Sequence, residues 1–283
     1  MQKKLLVAAL GALFAMPVLA ADAPAAPAAP YTITSNVGII SDYTFRGISQ
    51  NFRSPAIQGG FDFVHSNGLF LGTWASNISG NQYSNASMEW DIYGGYNGKI
   101  NDDLTYTAGL ITVIYPGGKT NTVPSPNDKW DTTEWNLGAT WKGLNLKYSQ
   151  TLTNWYGIAS TPGAFTPNTI VNNVATATST ANNRAANLDS KGSGYLEANY
   201  SYEFADKLVA LAHVGHQKLK NFDLLSYTDY KVGVTKDLGG YVFGLTYTTT
   251  NAGDNQLYHV INAVGDNKNL RGGIVAVSVN RSF

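Results

Sequence analysis

The chain has 283 residues with 19 basic and 19 acidic side chains, so its formal net charge is zero, and only 13% of residues are charged while 12% are aromatic. This balance gives no electrostatic footprint for nucleic acid, and a charged fraction well under the usual ~25% leans away from a soluble enzyme. The absence of cysteine excludes disulfide, zinc–thiolate and thiol chemistry, and a mean hydropathy of −0.15 is too polar for a bundle of membrane-spanning helices.

At the N-terminus, Lys3 and Lys4 precede the apolar run LLVAALGALF, and Val18 and Ala20 stand at small-residue cleavage positions. This pattern predicts a secretory signal peptide over residues 1–20, cut after Ala20. The apolar run is short of the ~20 residues that a spanning helix needs. The following ADAPAAPAAP predicts an extended Pro/Ala linker over residues 21–30. A single folded domain is expected over residues 31–283.

Beyond Tyr31 the pattern is β throughout. In SMEWDIYGGYNG, Met88, Trp90, Ile92 and Tyr96 share one face, while Glu89, Asp91, Tyr93 and Asn97 share the other. TEWNLGATW sets Trp135, Leu137, Ala139 and Trp141 against Glu134, Asn136, Gly138 and Thr140. YLEANYSYEF sets Leu196, Ala198, Tyr200, Tyr202 and Phe204 against Glu197, Asn199, Ser201 and Glu203. A period of two is the strand signal, because successive side chains point to opposite faces. About twelve such segments are expected, near 33–43, 56–64, 69–77, 87–98, 104–115, 132–142, 144–152, 195–204, 208–216, 226–236, 241–250 and 273–283. LFLGTWAS and LVALAHVG are apolar on both faces, so their pattern does not orient them.

The connectors alternate in length. HSNG, IND, Lys142–Gly143, the turn at Asp206 and DLGG are tight and rich in Gly, Asn and Asp, as hairpins require. The intervening connectors, 44–55, 78–86, 116–131, 153–194, 217–225 and 251–272, are longer. Prolines past the linker, at 55, 116, 124, 126, 162 and 167, all fall in long loops or at their edges, as expected of a residue that cannot donate to a ladder. An up-and-down sheet with this spacing carries all short turns at one end and all long loops at the other. The longest connector, 153–194, is poor in residues to bury, and reads either as a surface loop or as a lid over a pore or ligand surface.

Two architectures fit an exported all-β chain of this kind: a soluble sandwich or barrel, and an up-and-down antiparallel transmembrane β-barrel of about twelve strands. Strand lengths of nine to eleven residues match a tilted bilayer crossing. Aromatics gather near strand ends, where amphipathic rings suit the lipid–water boundary, and the one-sided loops match short periplasmic turns opposite long external loops. The transmembrane barrel is therefore the expected fold, with outer-membrane lipid as its surroundings. In the final GIVAVSVNRSF the outward set is Val275, Val277, Val279 and Phe283. A terminal aromatic strand resembles the signal by which outer-membrane barrels reach their assembly machinery, which makes Phe283 the expected assembly residue. Arg281 departs from that pattern, and at a membrane rim an Arg can snorkel to water.

The stretch SDYTFRGISQNFRSPAIQGGFDF, followed by GLFLGTWASN and MEWDIYGGYNG, closely resembles the TorF-type porins, a family long catalogued as conserved exported proteins of unknown function. Asp42, Tyr43, Phe45, Arg46, Gly47 and Gln50 are the centre of the match, which extends through Pro55, Asp62, Trp74, Glu89, Asp91, Tyr93 and the Tyr115–Pro116 step. It covers about the first third of the mature chain. The resemblance implies an outer-membrane barrel in a Gram-negative bacterium, and no particular solute.

Charged residues on polar strand faces are Glu89, Asp91, Glu134, Glu197, Glu203 and Asp229, with Lys147 and Lys231. They read either as a lumen that passes small hydrophilic solutes or as interstrand ion pairs filling a narrow barrel. Twelve strands fall between the filled eight and the open sixteen. Asp229 and Lys231 are a candidate structural pair. Arg46 either reaches into the lumen to meet Asp42 or Glu89, or orders its loop by stacking on neighbouring aromatics. His213 and His216 in HVGH fall on opposite faces of a strand, poor geometry for a metal, and no metal or cofactor is expected. The Ser–His pair of a membrane lipase and a G-x-S-x-G elbow are missing from the strands. The function expected is therefore non-enzymatic: a channel for passive diffusion of small hydrophilic solutes. The alternatives are a non-conducting structural or surface-binding barrel and, behind it, an embedded lipid hydrolase.

Overall fold

A computed structural model describes residues 29–119, 129–160, 166–171, 174–178, 188–253, 258–261 and 265–283. The expected signal peptide and most of the linker lie outside the described residues. Among the described residues, twelve strands close into one barrel. They are β1 (Tyr31–Ile40), β2 (Ala56–His65), β3 (Leu69–Asn77), β4 (Met88–Lys99), β5 (Leu104–Ile114) and β6 (Thr132–Trp141). β7 (Leu144–Thr151), β8 (Gly194–Ala205), β9 (Leu208–Lys218), β10 (Tyr227–Leu238), β11 (Tyr241–Thr250) and β12 (Ile274–Ser282) complete it. Each strand pairs antiparallel with its neighbour in sequence, and β12 pairs with β1 to close the ring. Closure leaves no strand edge unpaired, as a structure embedded in lipid requires.

The expected strands coincide with the observed ones to within two residues, except at the end of β1. There the ladder stops at Ile40 rather than at residue 43. Ser41 still exchanges bonds with Val277, N to O at 2.9 Å and Oγ from N at 2.9 Å, and the chain then turns away from the wall.

The wall separates two chemistries. On β4, Met88, Trp90 and Ile92 are each 40% exposed on the outside, while Glu89, Asp91 and Tyr93 are buried inside. The two strands whose pattern was apolar on both faces are oriented by their neighbours. Register pairs Ser76 with Glu89 and Gly72 with Tyr93, so Phe70, Gly72, Trp74 and Ser76 of β3 point inward. Register with β8 turns Val209, Leu211, His213, Gly215 and Gln217 of β9 inward and leaves Val214 outside.

The outward face carries Ile33, Phe61, Leu71, Leu137, Leu196, Val232, Leu245 and Val277, all exposed. Aromatic rings ring the short-turn end. Tyr31 stacks on Phe63 at 5.5 Å, Lys142 caps Trp141 at 5.1 Å, and the Arg281 guanidinium lies over Tyr241 at 4.7 Å and Phe283 at 5.7 Å. Arg281 also donates to the Gly239 carbonyl at 2.7 Å, so its charge is spent at the rim. Phe283 is 70% exposed, and its backbone N–H donates to Ser35 O at 2.8 Å.

The packed interior is built mainly at the long-loop end. One cluster gathers Tyr43, Tyr83, Tyr115, Trp130, Trp155, Tyr156 and Phe222, with Tyr83 stacked on Tyr115 at 4.5 Å and Trp155 against Tyr156 at 4.8 Å. A second gathers Ile48, Phe52, Tyr227, Tyr258 and Leu270. Long loops therefore fold over and into the barrel mouth.

Candidate functional site: the mouth of the barrel

The connector between β1 and β2, residues 41–55, is the element that shapes the mouth. Thr44–Phe45 and Ile48–Ser49 pair as a minimal hairpin, and Arg46 and Gly47 take left-handed φ values of 44° and 79° to turn it. Asp42, Tyr43, Ile48, Ser49, Gln50, Asn51 and Phe52 are all at most 6% exposed. A loop of this length cannot bury itself, so the burial comes from the barrel around it.

The loop is also wired internally. Tyr43 N donates to Asn51 Oδ1 at 3.1 Å, Gln50 N to Tyr43 O at 2.8 Å, and Ser49 Oγ to Asp42 Oδ1 at 2.6 Å. Other loops hold it in place. Ser49 N donates to Leu270 O at 2.8 Å, the Tyr83 hydroxyl donates to Gln50 Oε1, and the Arg53 guanidinium binds the carbonyls of Asn269 and Gly272.

Arg46 crosses to the far wall. Its Nη1 and Nη2 donate to Glu134 Oε1 and Oε2 at 2.9 and 2.6 Å, and Nη1 also donates to Gln217 Oε1 at 2.8 Å. The guanidinium lies 4.2 Å from the Tyr195 ring centre and 4.8 Å from that of Phe45. Burial opposes the charge, but the Glu134 carboxylate more than offsets this and holds the guanidinium above its ordinary pKa. The sequence-based partners, Asp42 and Glu89, are both engaged elsewhere. Asp42 accepts from Ser49 and lies 4.0 Å from Arg53, and Glu89 accepts from the Tyr43 and Tyr115 hydroxyls at 2.9 and 3.0 Å. The reason is reach: the hairpin tip extends past β4 to β6 and β9.

Gly47 sets how closely the tip seats. A Cβ there would lie 2.5 Å from Asp229 Cβ and 2.4 Å from Thr250 Cγ2, at a φ that side chains rarely adopt. Gly47→Ala is therefore expected to unseat the tip. It should lower stability by about 1–3 kcal/mol, or raise protease sensitivity within residues 41–55, as limited proteolysis of the folded barrel would reveal.

The inward charges concentrate in the half of the barrel nearest the long loops. Asp91 is fully buried, and neither of its carboxylate oxygens has a hydrogen-bond partner among the described residues. Lys147 pairs with Glu197 at 2.7 Å, and Asn199 donates to Glu197 at 3.0 Å. Asp229 and Lys231 share the inward face, but Asp229 is taken by Tyr195 OH at 2.9 Å and His213 Nε2 at 2.9 Å. The two residues form no ion pair within 4.0 Å among the described residues, so Asp229 acts on Lys231 only as a nearby opposite charge. Glu203 sits at the short-turn rim and accepts from Lys207 N at 2.9 Å, since β8 ends two residues later.

Two inward groups were not among the residues expected to line the interior. His213 contacts Asn199 Oδ1 at 2.6 Å and Tyr195 OH at 3.1 Å as well as Asp229. Asp62 accepts from Tyr93 OH at 2.6 Å. The signal for His213 lay in pairing β9 with the polar face of β8, and the apolar flanks of LVALAHVG obscured it. Gly215 matters here too: a Cβ would lie 1.9 Å from the Tyr195 hydroxyl, so only glycine lets that hydroxyl reach Asp229. Towards the short turns, the inner wall turns to uncharged Thr107, Thr140, Asn145, Ser201, Thr235, Thr246 and Ser278.

The base of the long 153–194 connector also enters the mouth. Trp155 N donates to Ser190 Oγ at 2.8 Å, and Ser190 Oγ to Ile158 O at 2.6 Å. Much of this connector, read from sequence as either a surface loop or a lid, lies outside the described residues, including 161–165, 172–173 and 179–187.

A family model described as a bacterial protein of unknown function, Gcw_chp, matches residues 24–283. The chain belongs to the Gcw_chp family. The residues at the centre of the TorF-type resemblance, Asp42, Tyr43, Phe45, Arg46, Gly47 and Gln50, lie in the inward-folded loop. Among solved structures, the chain is similar to the KdgM porin at 11% identity and a TM-score of 0.47, covering 88% of this chain and 99% of that one. It is similar to the NanC porin at 9% identity and a TM-score of 0.43, covering 89% and 98%. It is also similar to OccAB3 of Acinetobacter baumannii at 8% identity and a TM-score of 0.41, covering 87% and 59%. No curated protein matches it in sequence.

Proposed function

We propose that this protein is an outer-membrane channel of the TorF porin kind, exported by a cleaved signal peptide, that passes small hydrophilic solutes by diffusion. The observation that carries this reading is the opposite polarity of the two faces of one closed wall. An apolar outside with an aromatic rim suits lipid, and an inside of carboxylates, lysines, threonines and asparagines suits water and polar solutes. The inward loop 41–55 is the constriction, and diffusion past it involves no covalent step.

Between the rims, Asp62, Glu89, Asp91, Glu134, Glu197 and Asp229 face Lys147 and Lys231 on the wall and Arg46 on the loop. This excess of carboxylates favours cations. Discrete current steps from residues 21–283 refolded into a planar bilayer are the expected result. Glu89→Gln combined with Asp91→Asn should lower cation preference, read as a shift in reversal potential across a salt gradient. Unchanged selectivity in a conducting protein would remove those two residues from the solute path. A non-conducting, surface-binding barrel draws support from the aromatic cluster packed in the mouth. Silence in the bilayer, with heat-modifiable migration proving a folded barrel, would favour it.

A further inference from the structure

The residues around Arg46 have the form of a receptor whose occupant is supplied by the protein itself. Three strands of the rigid wall contribute. Glu134 on β6 presents both carboxylate oxygens to the two terminal nitrogens of one guanidinium, the fork geometry that a planar guanidinium matches and an ammonium does not. Gln217 on β9 adds an amide oxygen, aimed inward because its nitrogen is tied to Gly194 O at 3.0 Å. Tyr195 on β8 lays its ring under the cation, and its hydroxyl is fixed by Asp229 and His213. The orienting bonds of Gln217 and Tyr195 run within the barrel wall, so this part of the site does not depend on the loop.

The electrostatic balance points the same way. Asp91, beside Glu89 and within electrostatic reach of Glu134, is a buried carboxylate without a donor among the described residues. With the loop withdrawn, this wall of the mouth keeps three carboxylates and gains an accessible binding surface for a cation. The guanidinium that fills it belongs to a loop turned by two left-handed residues, not to a strand.

We infer that the wall site formed by Glu134, Gln217 and Tyr195 is a receptor for solutes bearing a guanidinium group, and that Arg46 is its tethered competitor, so that such solutes open the constriction by displacing the loop. The inference rests on the channel reading for its consequence, but not for the binding itself. Because the tether keeps Arg46 at an effective concentration on the order of millimolar or more, a free solute acts on the wild-type protein only at high concentration. Removal of Arg46 uncovers the receptor.

The test uses mature Arg46→Ala, refolded and verified by heat-modifiable migration, with L-arginine, guanidinium chloride and L-lysine as probes. Thermal unfolding in detergent reads binding, and single-channel recording reads transport. Arginine and guanidinium are expected to raise the unfolding midpoint of Arg46→Ala at concentrations about tenfold below those at which lysine acts, and, because the tip is already released in this variant, to interrupt its current while they occupy the site. Glu134→Gln in the same background should abolish the difference. Equal effects of arginine and lysine, or an arginine effect that survives Glu134→Gln, would overturn the receptor. Arginine-selective stabilisation without current from any variant would keep the receptor and reject the channel, whereas current without selectivity would do the reverse. Should Arg46→Ala fail to fold, Arg46→Lys keeps the charge, loses the fork, and goes through the same two measurements.

Discussion

Replacing residues 44–50 with a Gly/Ser segment of equal length is expected to raise the unitary conductance of the refolded barrel several-fold while leaving its heat-modifiable migration unchanged. The two halves of that expectation have separate causes. The ladder between β1 and β2 is complete from Tyr31–His65 to Ile40–Ala56, so the loop contributes nothing to wall pairing. Every other strand pair is likewise independent of it. The tip, by contrast, runs from the β1–β2 corner to Glu134 on β6 and Gln217 on β9, and presses Gly47 against Asp229 on β10. On the proposed channel reading, in a barrel of this strand number, whose own side chains leave a narrow interior, a loop across the mouth would dominate the resistance. Single-channel recording of wild type and variant under identical salt checks the result, and equal step sizes would relocate the constriction to the aromatic cluster around Tyr83, Tyr115 and Tyr156.

The second large effect concerns the outside of the wall. Leu245 on β11 is 49% exposed midway along its strand, with outward Val234 as its register partner. If lipid surrounds this face, Leu245→Arg costs about 2–4 kcal/mol of folding stability, the range for a cation near the bilayer midplane. Thr235→Lys on the inward face of β10 stays within about 0.5 kcal/mol. Reversible urea unfolding in lipid vesicles measures both. A soluble barrel would give a near-neutral Leu245→Arg, since an exposed leucine in water loses little by becoming charged.

These expectations draw on different levels of information. The face of each side chain was legible wherever polar and apolar residues alternate, as in SMEWDIYGGYNG and TEWNLGATW, because a strand's period of two is a local property. Turn residues and proline positions located the strand ends for the same reason. Legibility failed for β3 and β9, where both faces are apolar and only pairing with β4 and β8 decides which side is in. His213 was lost with β9. The reading of Arg46 as either lumenal or stacked posed two alternatives that the structure combines, since the same guanidinium binds Glu134 and lies over Tyr195 and Phe45.

About twelve strands, the alternation of short turns and long loops, and the two-faced wall were legible in the order of residues, because each arises from local spacing; the loop motif was legible only through the family resemblance. Which inward groups meet was set by the folded barrel. Arg46 lies 88 residues from Glu134 and 171 from Gln217, and such partners are chosen by the register around a closed ring and by how far a buried hairpin reaches. Those quantities depend on every strand pairing at once, so no local pattern encodes them.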